Sequence, residues 1–589
     1  MSLIKVLPIF PEFLPSYWSF RYALELVKKK AIMPPLGLIT ALAMLPGQYF
    51  DIQKVVDQNV RKVTDEEIKD ADIIMSSAMI VQKVPLEELA DRVHFFGKKF
   101  VVGGPYASTS PEEVSRYADH LVLGEAESGS LDAFISDLLN GQPKKIYKSG
   151  GLPSLDKTPL PLLDRIDLKH YTSGAIQFSR GCPYDCEFCD ITQQFGRKPR
   201  TKSPEQMIRE FDSLHKAGWM DPVFLVDDNF IGNITKIREL LPFIQLWQET
   251  NGYPFSLTTE ASMNIANENN KDILEKMVNA GFRKVFVGIE TNDQEALEKA
   301  NKGQNLGKTS LLDKVETMQR YGLEVMSGFI IGLDGEKSDA SRNMLNFIQE
   351  SGIPTAMAGL LTALPGTNLY YRLQKEGRLL GESSGNNTHN LGFNFKTEQD
   401  EKKLIEDYKW LLKELYLNKE NYWKRVRTLD SRRGLFHRNN SQIENGLRAA
   451  GILLAESVSV SPDFEFLNYL GKTALTHPYR IPEVIGRAAE LRHFRIITEN
   501  MLEVANYQTK TEKLYEDFRS RVEGLRGCSS VNWHKVVELE QRVLKNARRS
   551  YNKIHDDFKK DAQKYSDHLA KRISDFKERH HLERRTVQY

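Results

Sequence analysis

Five short apolar runs recur through the first quarter of the chain: SLIKVLPIFP, FDIQKVVDQN, ADIIMSSAMI, KKFVVGGPYAS and DHLVLGEAE. Amphipathic segments with a helical period separate them. That alternation predicts βα units and a doubly wound parallel sheet, whose ligands lie across the C-terminal strand edge. A second series follows. Its strands are expected at Ala175–Phe178, Pro222–Phe230, Phe255–Ile265, Lys284–Thr291, Glu324–Leu333 and Thr355–Leu364. Between them lie helical stretches such as SPEQMIREFDSLHKAG, with Ser203 as N-cap and Pro204 at the first helical position, and KDILEKMVNAG, each ending in glycine. Six such strands predict a partial βα barrel, with its chemistry at the C-terminal strand ends. Beyond LLTALPGTNLYYRLQKEGRL the strand rhythm stops, and residues 400 to about 500 read as helices. Trp410, Tyr416, Tyr422 and Trp423 fall there at helical spacings and are expected to pack in a core. The organisation expected is therefore α/β, with domains at 1–165 and 166–375, a helical extension at 376–500 and a charged amphipathic tail at 501–589.

Polar residues interrupt the apolar runs where a barrel would need them. These are Asp227, Asp228 and Asn229; Thr259, Glu260 and Ser262; Glu290; and Gly328 with Gly332. Each could alone be a turn or cap residue, but their shared strand-end position argues for a site. In the first series, VVGGPYAS and VLGEAE carry Gly103, Gly104, Gly124 and Glu125 at strand ends, where glycine permits close backbone approach to a large flat ligand or to phosphate. No G-x-G-x-x-G occurs, which counts against a dinucleotide. Ser76, Ser77 and Met79 end another strand and are candidates to face the same ligand.

At 589 residues, 27% charged and with a net charge of +2, the composition is that of a multidomain globular protein with no global pull toward nucleic acid. Neither a signal peptide nor a run of roughly 18 to 20 apolar residues is present, so a cytoplasmic, reducing location is expected. Only four cysteines occur, and three of them crowd into FSRGCPYDCEFCDI. Cys182, Cys186 and Cys189 are spaced C-x3-C-x2-C on what reads as one loop. With no histidine between His170 and His215 to complete a tetrahedron, structural zinc is disfavoured. A cubane iron–sulfur cluster held by three thiolates would keep one iron open for a ligand.

This motif, with Phe188 as the aromatic before the third cysteine, resembles the signature of radical S-adenosylmethionine enzymes. The resemblance implies a [4Fe–4S] cluster on Cys182, Cys186 and Cys189. It implies that the open iron chelates S-adenosylmethionine, and that one electron cleaves it to a radical that abstracts hydrogen from unactivated carbon. It would place Asp227 and Asp228 near the amino group of S-adenosylmethionine, although the Gly-Gly-Glu motif usual there is absent. Ser262 and Glu290 would lie near ribose or carboxylate, and Gly328 and Gly332 beside the adenine. In order and spacing, the first series resembles the cobalamin-binding domain that precedes the barrel in one class of this family, and Pro34–Leu38, PPLGL, is typical of that class. The mutase-type Asp-x-His-x-x-Gly is absent: none of His94, His120 and His170 sits in such a motif. The underside of cobalamin is then expected to lack a histidine ligand. A flavodoxin-like domain without cofactor is the alternative.

The region around LTALPGT and SSGNNTHNLGFNF resembles that of a subgroup including the hopanoid C-2 methylase and related lipid-modifying enzymes. The expectation is a cobalamin-dependent methyltransferase acting on unactivated carbon, with a lipid as the substrate guess and a reductant such as flavodoxin or ferredoxin as partner. A radical cyclase with the same cofactors, or a non-catalytic cobalamin or iron–sulfur sensor, are the rival readings. The last segment, Gln541–Tyr589, carries 14 Lys or Arg against 7 Asp or Glu. Its apolar stripe of Tyr551, Ile554, Phe558, Tyr565, Leu569, Ile573 and Phe576 fits either an anionic membrane surface or packing on the protein or a second chain, with packing preferred. Cys528 is expected to be inert.

Overall fold

The computed structural model describes residues 2–579 apart from 149, 221, 382, 384, 387–390, 434–442 and 526–532. Cys528, the tail end 580–589 and part of SSGNNTHNLGFNF lie outside the described residues. The chain falls into two compact units, Met1–His493 and Phe494–Tyr589.

The first unit opens with a sheet of seven strands: β1 (Ile4–Phe10), β2 (Phe50–Ile52), β3 (Val56–Asp57), β4 (Ile73–Ser77), β5 (Lys99–Gly103), β6 (His120–Leu123) and β7 (Ile146–Lys148). Their order is β2-β1-β4-β5-β6-β7, with β3 also on β1 and every pairing parallel. Alternation along the strands sends Ile74, Phe100, Val102 and Leu121 to one buried face, with Leu86 and Leu89 of the helix Lys83–Phe95. Ile73, Met75, Val101 and Val122 go to the other, with Leu38 and Leu42 of the helix Leu36–Leu42 and Leu131 and Phe134 of the helix Ser130–Leu139. Burial on both faces is what a doubly wound sheet requires. Two details differ from the sequence expectation. FDIQKVVDQN is two strands rather than one, because β2 pairs with Ile4–Val6 and β3 with Ile9–Phe10 of the same neighbour. The seventh strand, β7, comes from a segment of only three residues with one buried side chain, too short to show a period.

A second sheet follows, of six strands: β8 (Gly174–Ile176), β11 (Val223–Leu225), β12 (Leu257–Ala261), β13 (Phe282–Glu290), β14 (Glu324–Ile331) and β15 (Ala356–Leu360). They pair in chain order, all parallel, with β8 and β15 at the edges: the partial βα barrel. A small hairpin of β9 (Ser179–Arg180) and β10 (Arg200–Thr201) frames the cysteine loop. The helix Pro204–Lys216 starts as its sequence implies, Ser203 and Gln206 forming a reciprocal capping box with Pro204 behind the cap.

The edge strand β15 is closed by the helical extension. Tyr408 donates its hydroxyl to Ala358 O at 3.2 Å, and Tyr416 donates to Ala356 O, so carbonyls that an edge would leave open are satisfied. Tyr422 and Trp423 are fully buried against Phe466, Val484 and Leu491, a core as expected. Trp410 is half-buried and lies against the Arg342 guanidinium.

The unit Phe494–Tyr589 has its own core, in which Leu569, Ile573 and Phe576 pack with Tyr515, Phe518, Val522, Val536 and Val543. Ile554 and Phe558 are buried as well. At about 1.5–3 kcal/mol for each large apolar side chain taken from water, this stripe is a structural core and not a free face for lipid. No described helix is long and apolar enough to cross a membrane.

Candidate functional site

The cysteine loop leaves β8 and is held by three consecutive residues at the end of β11. Asp227 accepts hydrogen bonds from the Phe178 and Ser179 amides, both at 2.8 Å, and from Ser179 Oγ at 2.6 Å. Asp228 accepts the Gly181 amide at 2.7 Å. Asn229 Nδ2 points at Cys182 Sγ at 3.7 Å and also donates to Ser262 Oγ at 3.0 Å. The run VDDN therefore clamps the entry to the first cysteine at successive positions, and Asp227 spends its oxygens on this clamp. Gly181 sits at φ +97°, where a Cβ would press within 2.9 Å of the Phe195 and Gly196 carbonyls, so only glycine fits that bend. The outside of the loop is anchored too: Glu187 pairs with Arg372 at 2.7 Å, and its amide donates to Ala300 O at 3.1 Å.

Cys186 is buried, and Cys182 and Cys189 are partly so. Burial pushes the Cys182 and Cys189 thiols above the usual range, a tendency a coordinated metal reverses by deprotonating them. The surroundings suit thiolates. Gln304 Nε2 donates to Cys186 Sγ at 3.2 Å, Asn229 faces Cys182, and the Lys302 ammonium is close enough to feel both Cys186 and Cys189. Among the described residues no three His, Cys, Asp or Glu side chains converge as a single ion would require. A cubane cluster takes three thiolates, and Cys182, Cys186 and Cys189 offer them from one loop. The residues present fit a cluster. Phe188 lies with its ring 5.5 Å from Lys302 Nζ.

The adjoining strand ends bring the carboxyl groups of Asp227, Asp228, Glu260 and Glu290 near one another. Glu260 is pushed up to about 7 by burial and by the nearby Asp228, Asp227 and Glu290. Asp228 rises to about 6, through burial first, against the pull of the Gly181 amide and Arg180. Asp227 rises to about 7 through burial despite its hydrogen bonds from Ser179 and Phe178. Carboxyl groups that repel one another in this way favour a cationic ligand. Glu290 ends β13 at φ +64°, after a register shift at Gly288, and this turns its carboxylate back onto Lys302 Nζ at 2.6 Å. A Cβ on Gly288 would collide with Glu290 Oε1 and lie 2.7 Å from Lys302 Nζ, so the pair depends on that glycine. A Cβ on Gly328 would lie 3.3 Å from Phe286 Cζ, while Gly332 is at φ +93° and covered by the Phe393 ring. Its amide donates to Glu336 at 2.7 Å.

Between the first sheet and this loop lies a cavity of about 270 Å³. Ser76, Ser77, Gly103, Gly104, Gly124 and Glu125 all line one wall, and Gln177, Arg180, Phe195 and Val226, from the barrel side, line the other. Met79 stands apart from it, 43% exposed. The hydroxyl of Ser76, 4% exposed, has no partner within the protein. Gly104 has φ +86°, and a Cβ there would collide with Ser77 Oγ. Glu125 is gripped by Arg180 at 2.7 Å and Arg200 at 2.6 Å, a buried ion cluster that ties the first sheet to the β9–β10 hairpin. No histidine is among the lining residues. His120 is turned to Lys144 O, and His94 to Asp119.

Sequence reasoning missed Lys302, Gln304 and Arg180. None carries a local pattern. Lys302 and Gln304 follow a helix in the loop ANKGQNLG, and hydrogen bonds of Ala300, Asn301 and Asn305 with the cysteine loop and β13 hold that loop at the cluster site.

Residues 176–348 match the Radical SAM superfamily, and 367–506 match a domain of unknown function, DUF4070. The chain is 42% identical over 414 residues to an uncharacterised methyltransferase of Synechocystis sp., covering 70% of this chain and 76% of that one. It is 37% identical to the hopanoid C-2 methylase of Rhodopseudomonas palustris, covering 64% of this chain and 72% of that protein. The cobalamin-dependent S-adenosylmethionine radical enzyme OxsB, solved with aqua-cobalamin and S-adenosylmethionine bound, shares the fold at a TM-score of 0.57 and 16% identity, covering 93% of this chain and 84% of that one. The cysteine loop at the mouth of a parallel half-barrel and the extent of these matches together make the chain a member of the radical S-adenosylmethionine superfamily, in one family with these methyltransferases.

Proposed function

We propose that the protein is a cobalamin-dependent radical S-adenosylmethionine methyltransferase acting on an unactivated carbon. The observation that carries this reading is the cavity between the first sheet and the cysteine loop, lined on one side by five strand-end residues with little or no side chain together with Glu125, and on the other by the approach to Cys182. When bound, the cluster with S-adenosylmethionine supplies hydrogen abstraction from carbon, and cobalamin supplies the methyl group.

The chain's own residues divide the work. Cys182, Cys186 and Cys189 hold the cluster, with Phe188 packed beside it. Asp228, Glu260, Ser262 and Glu290, with Gly328 and Gly332, form the S-adenosylmethionine recess, where carboxylates favour the sulfonium and ammonium charges. Asp227 acts behind them, fixing the backbone that leads to Cys182. Ser76, Ser77, Gly103, Gly104, Gly124 and Glu125 would receive cobalamin, in a cavity that no histidine lines. In this division residues 1–165 are the cobalamin-binding domain, 166–375 the radical barrel, 376–500 the helical extension and 501–589 the tail. A low-potential carrier such as flavodoxin or ferredoxin delivers the electron. A lipid substrate is favoured by the hopanoid C-2 methylase relative. The tail's apolar stripe is committed to its own core, so membrane contact through it forms no part of the proposal.

The test is anaerobic incubation of the reconstituted protein with methyl-labelled S-adenosylmethionine, a reductant and polycyclic lipid acceptors. Label on an acceptor carbon together with deoxyadenosine supports the reading; deoxyadenosine without methyl transfer to any acceptor counts against methylation.

A further inference from the structure

The short turn Lys302–Asn305 brings a buried cation and an N–H donor to the cysteine loop. Its first residue, Lys302, buries an ammonium with only 10% of the side chain exposed, paired to Glu290 at 2.6 Å. Gln304 donates to Cys186 Sγ at 3.2 Å. Asn305 locks the turn to β13, donating to the carbonyls of Gly288 at 3.0 Å and Ile289 at 2.9 Å. Just before the turn, Asn301 Nδ2 donates to Asp185 O at 2.7 Å, and Ala300 O receives the Glu187 amide at 3.1 Å. The segment 300–305 thus fastens one side of the cysteine loop while presenting one cation, one neutral donor and, through Lys302, one carboxylate.

We propose that Lys302 and Gln304 poise the reduction potential of the cluster held by Cys182, Cys186 and Cys189, with Glu290 acting in the opposite sense. The inference rests on those cysteines holding a cluster. Taking up one electron from an external low-potential reductant makes the cluster and its thiolates more negative by one charge. A buried cation and an N–H donor to sulfur stabilise that added charge and raise the potential, whereas a buried carboxylate opposes it. Because burial excludes the water that would screen these groups, each retains its effect. Lys302 is a shared counter-ion, paired to Glu290 and near enough to interact with Cys186 and Cys189. A cationic ligand that engages Glu290 relieves it of part of that role, so occupancy of the recess and ease of reduction are linked, and linkage requires each to favour the other.

The experiment is a potentiometric titration of full-length, cluster-loaded protein, followed by the electron paramagnetic resonance signal of the reduced cluster, with iron counted in every sample. Gln304→Leu and Lys302→Met should each lower the midpoint, and Glu290→Gln should raise it, by about 59 mV for each tenfold change in the ratio of reduced to oxidised cluster. Since Lys302→Met leaves Glu290 buried and unpaired, the double variant Lys302→Met/Glu290→Gln is measured beside it and should fall between the two single ones. Midpoints unchanged in variants that keep their iron would overturn the inference and leave the cluster intact as a reading. So would loss of iron in all four variants, which makes the turn purely structural. Wild-type protein that takes up no iron would instead sink the cluster itself.

Discussion

Asp228 accepts the amide of Gly181 at 2.7 Å, one residue before the first cysteine, while its neighbour Asp227 grips the amides of Phe178 and Ser179. The pair, expected from the resemblance to lie near the amino group of S-adenosylmethionine, thereby also buckles the cysteine loop. Asp227→Ala should strand two buried amides and the Ser179 hydroxyl. Each unpaired buried group costs about 1–3 kcal/mol, so iron per chain and the midpoint of chemical unfolding should fall together. Retention of full iron with a normal midpoint would show that the clamp is dispensable.

The recess carboxylates give a pH signature in the cofactor-free protein. Glu260 rises to about 7 through burial and its carboxylate neighbours, above the roughly 4.3 of an unfolded glutamate. Between those values the folded state holds the proton and the unfolded state does not, so stability is greatest below the unfolded value and falls as pH climbs through about 7. One full proton of difference corresponds to about 1.4 kcal/mol per pH unit. Melting temperature should drop from pH 5 to pH 8, and Glu260→Gln should flatten that slope. Affinity for S-adenosylmethionine should move the other way, rising with pH as the recess ionises.

Gly104 separates the two cofactor sites. At φ +86°, with Ser77 Oγ in the space a Cβ would need, Gly104→Ala should reduce cobalt per chain while leaving iron unchanged, as read by elemental analysis of reconstituted protein. Equal loss of both metals would mean that the substitution has disturbed the fold.

Glu324 begins β14 and is 1% exposed, paired with Arg487 of the helix Ile481–Leu525 and with Lys284 at 3.2 Å. Breaking a buried pair from one side costs about 3–5 kcal/mol. Glu324→Ala should therefore lower unfolding stability by about that amount, and the matched Glu324→Ala/Arg487→Met double variant should recover part of it.

Much of this molecule was legible before its coordinates. Both parallel sheets follow from apolar runs spaced by helical patterns, and Cys182, Cys186 and Cys189 stand out because cysteine is otherwise so scarce. Ser76, Ser77, Gly103, Gly104, Gly124 and Glu125 were legible as strand-end residues and do share one cavity wall. What the pattern could not reveal depends on tertiary placement. Lys302 and Gln304 look like ordinary loop residues until the Gly288 bulge turns Glu290 toward them. Gly332, expected beside the adenine, gives no sign in the sequence of the distant Phe393 ring that covers it. The apolar stripe of the tail is identical in sequence whether it faces lipid or a core, and only its packing with Phe518 and Val536 decides.

The central claim is that cobalamin occupies the cavity beside the cysteine loop, near enough to the cluster for the two to work on one substrate. Electron paramagnetic resonance of protein loaded with cob(II)alamin tests it most directly. The account predicts a cobalt signal with no nitrogen splitting from an axial protein ligand, since no histidine lines the cavity, and faster relaxation of that signal once the cluster is reduced. A cobalt signal split by a protein nitrogen, or one indifferent to the state of the cluster, would contradict it.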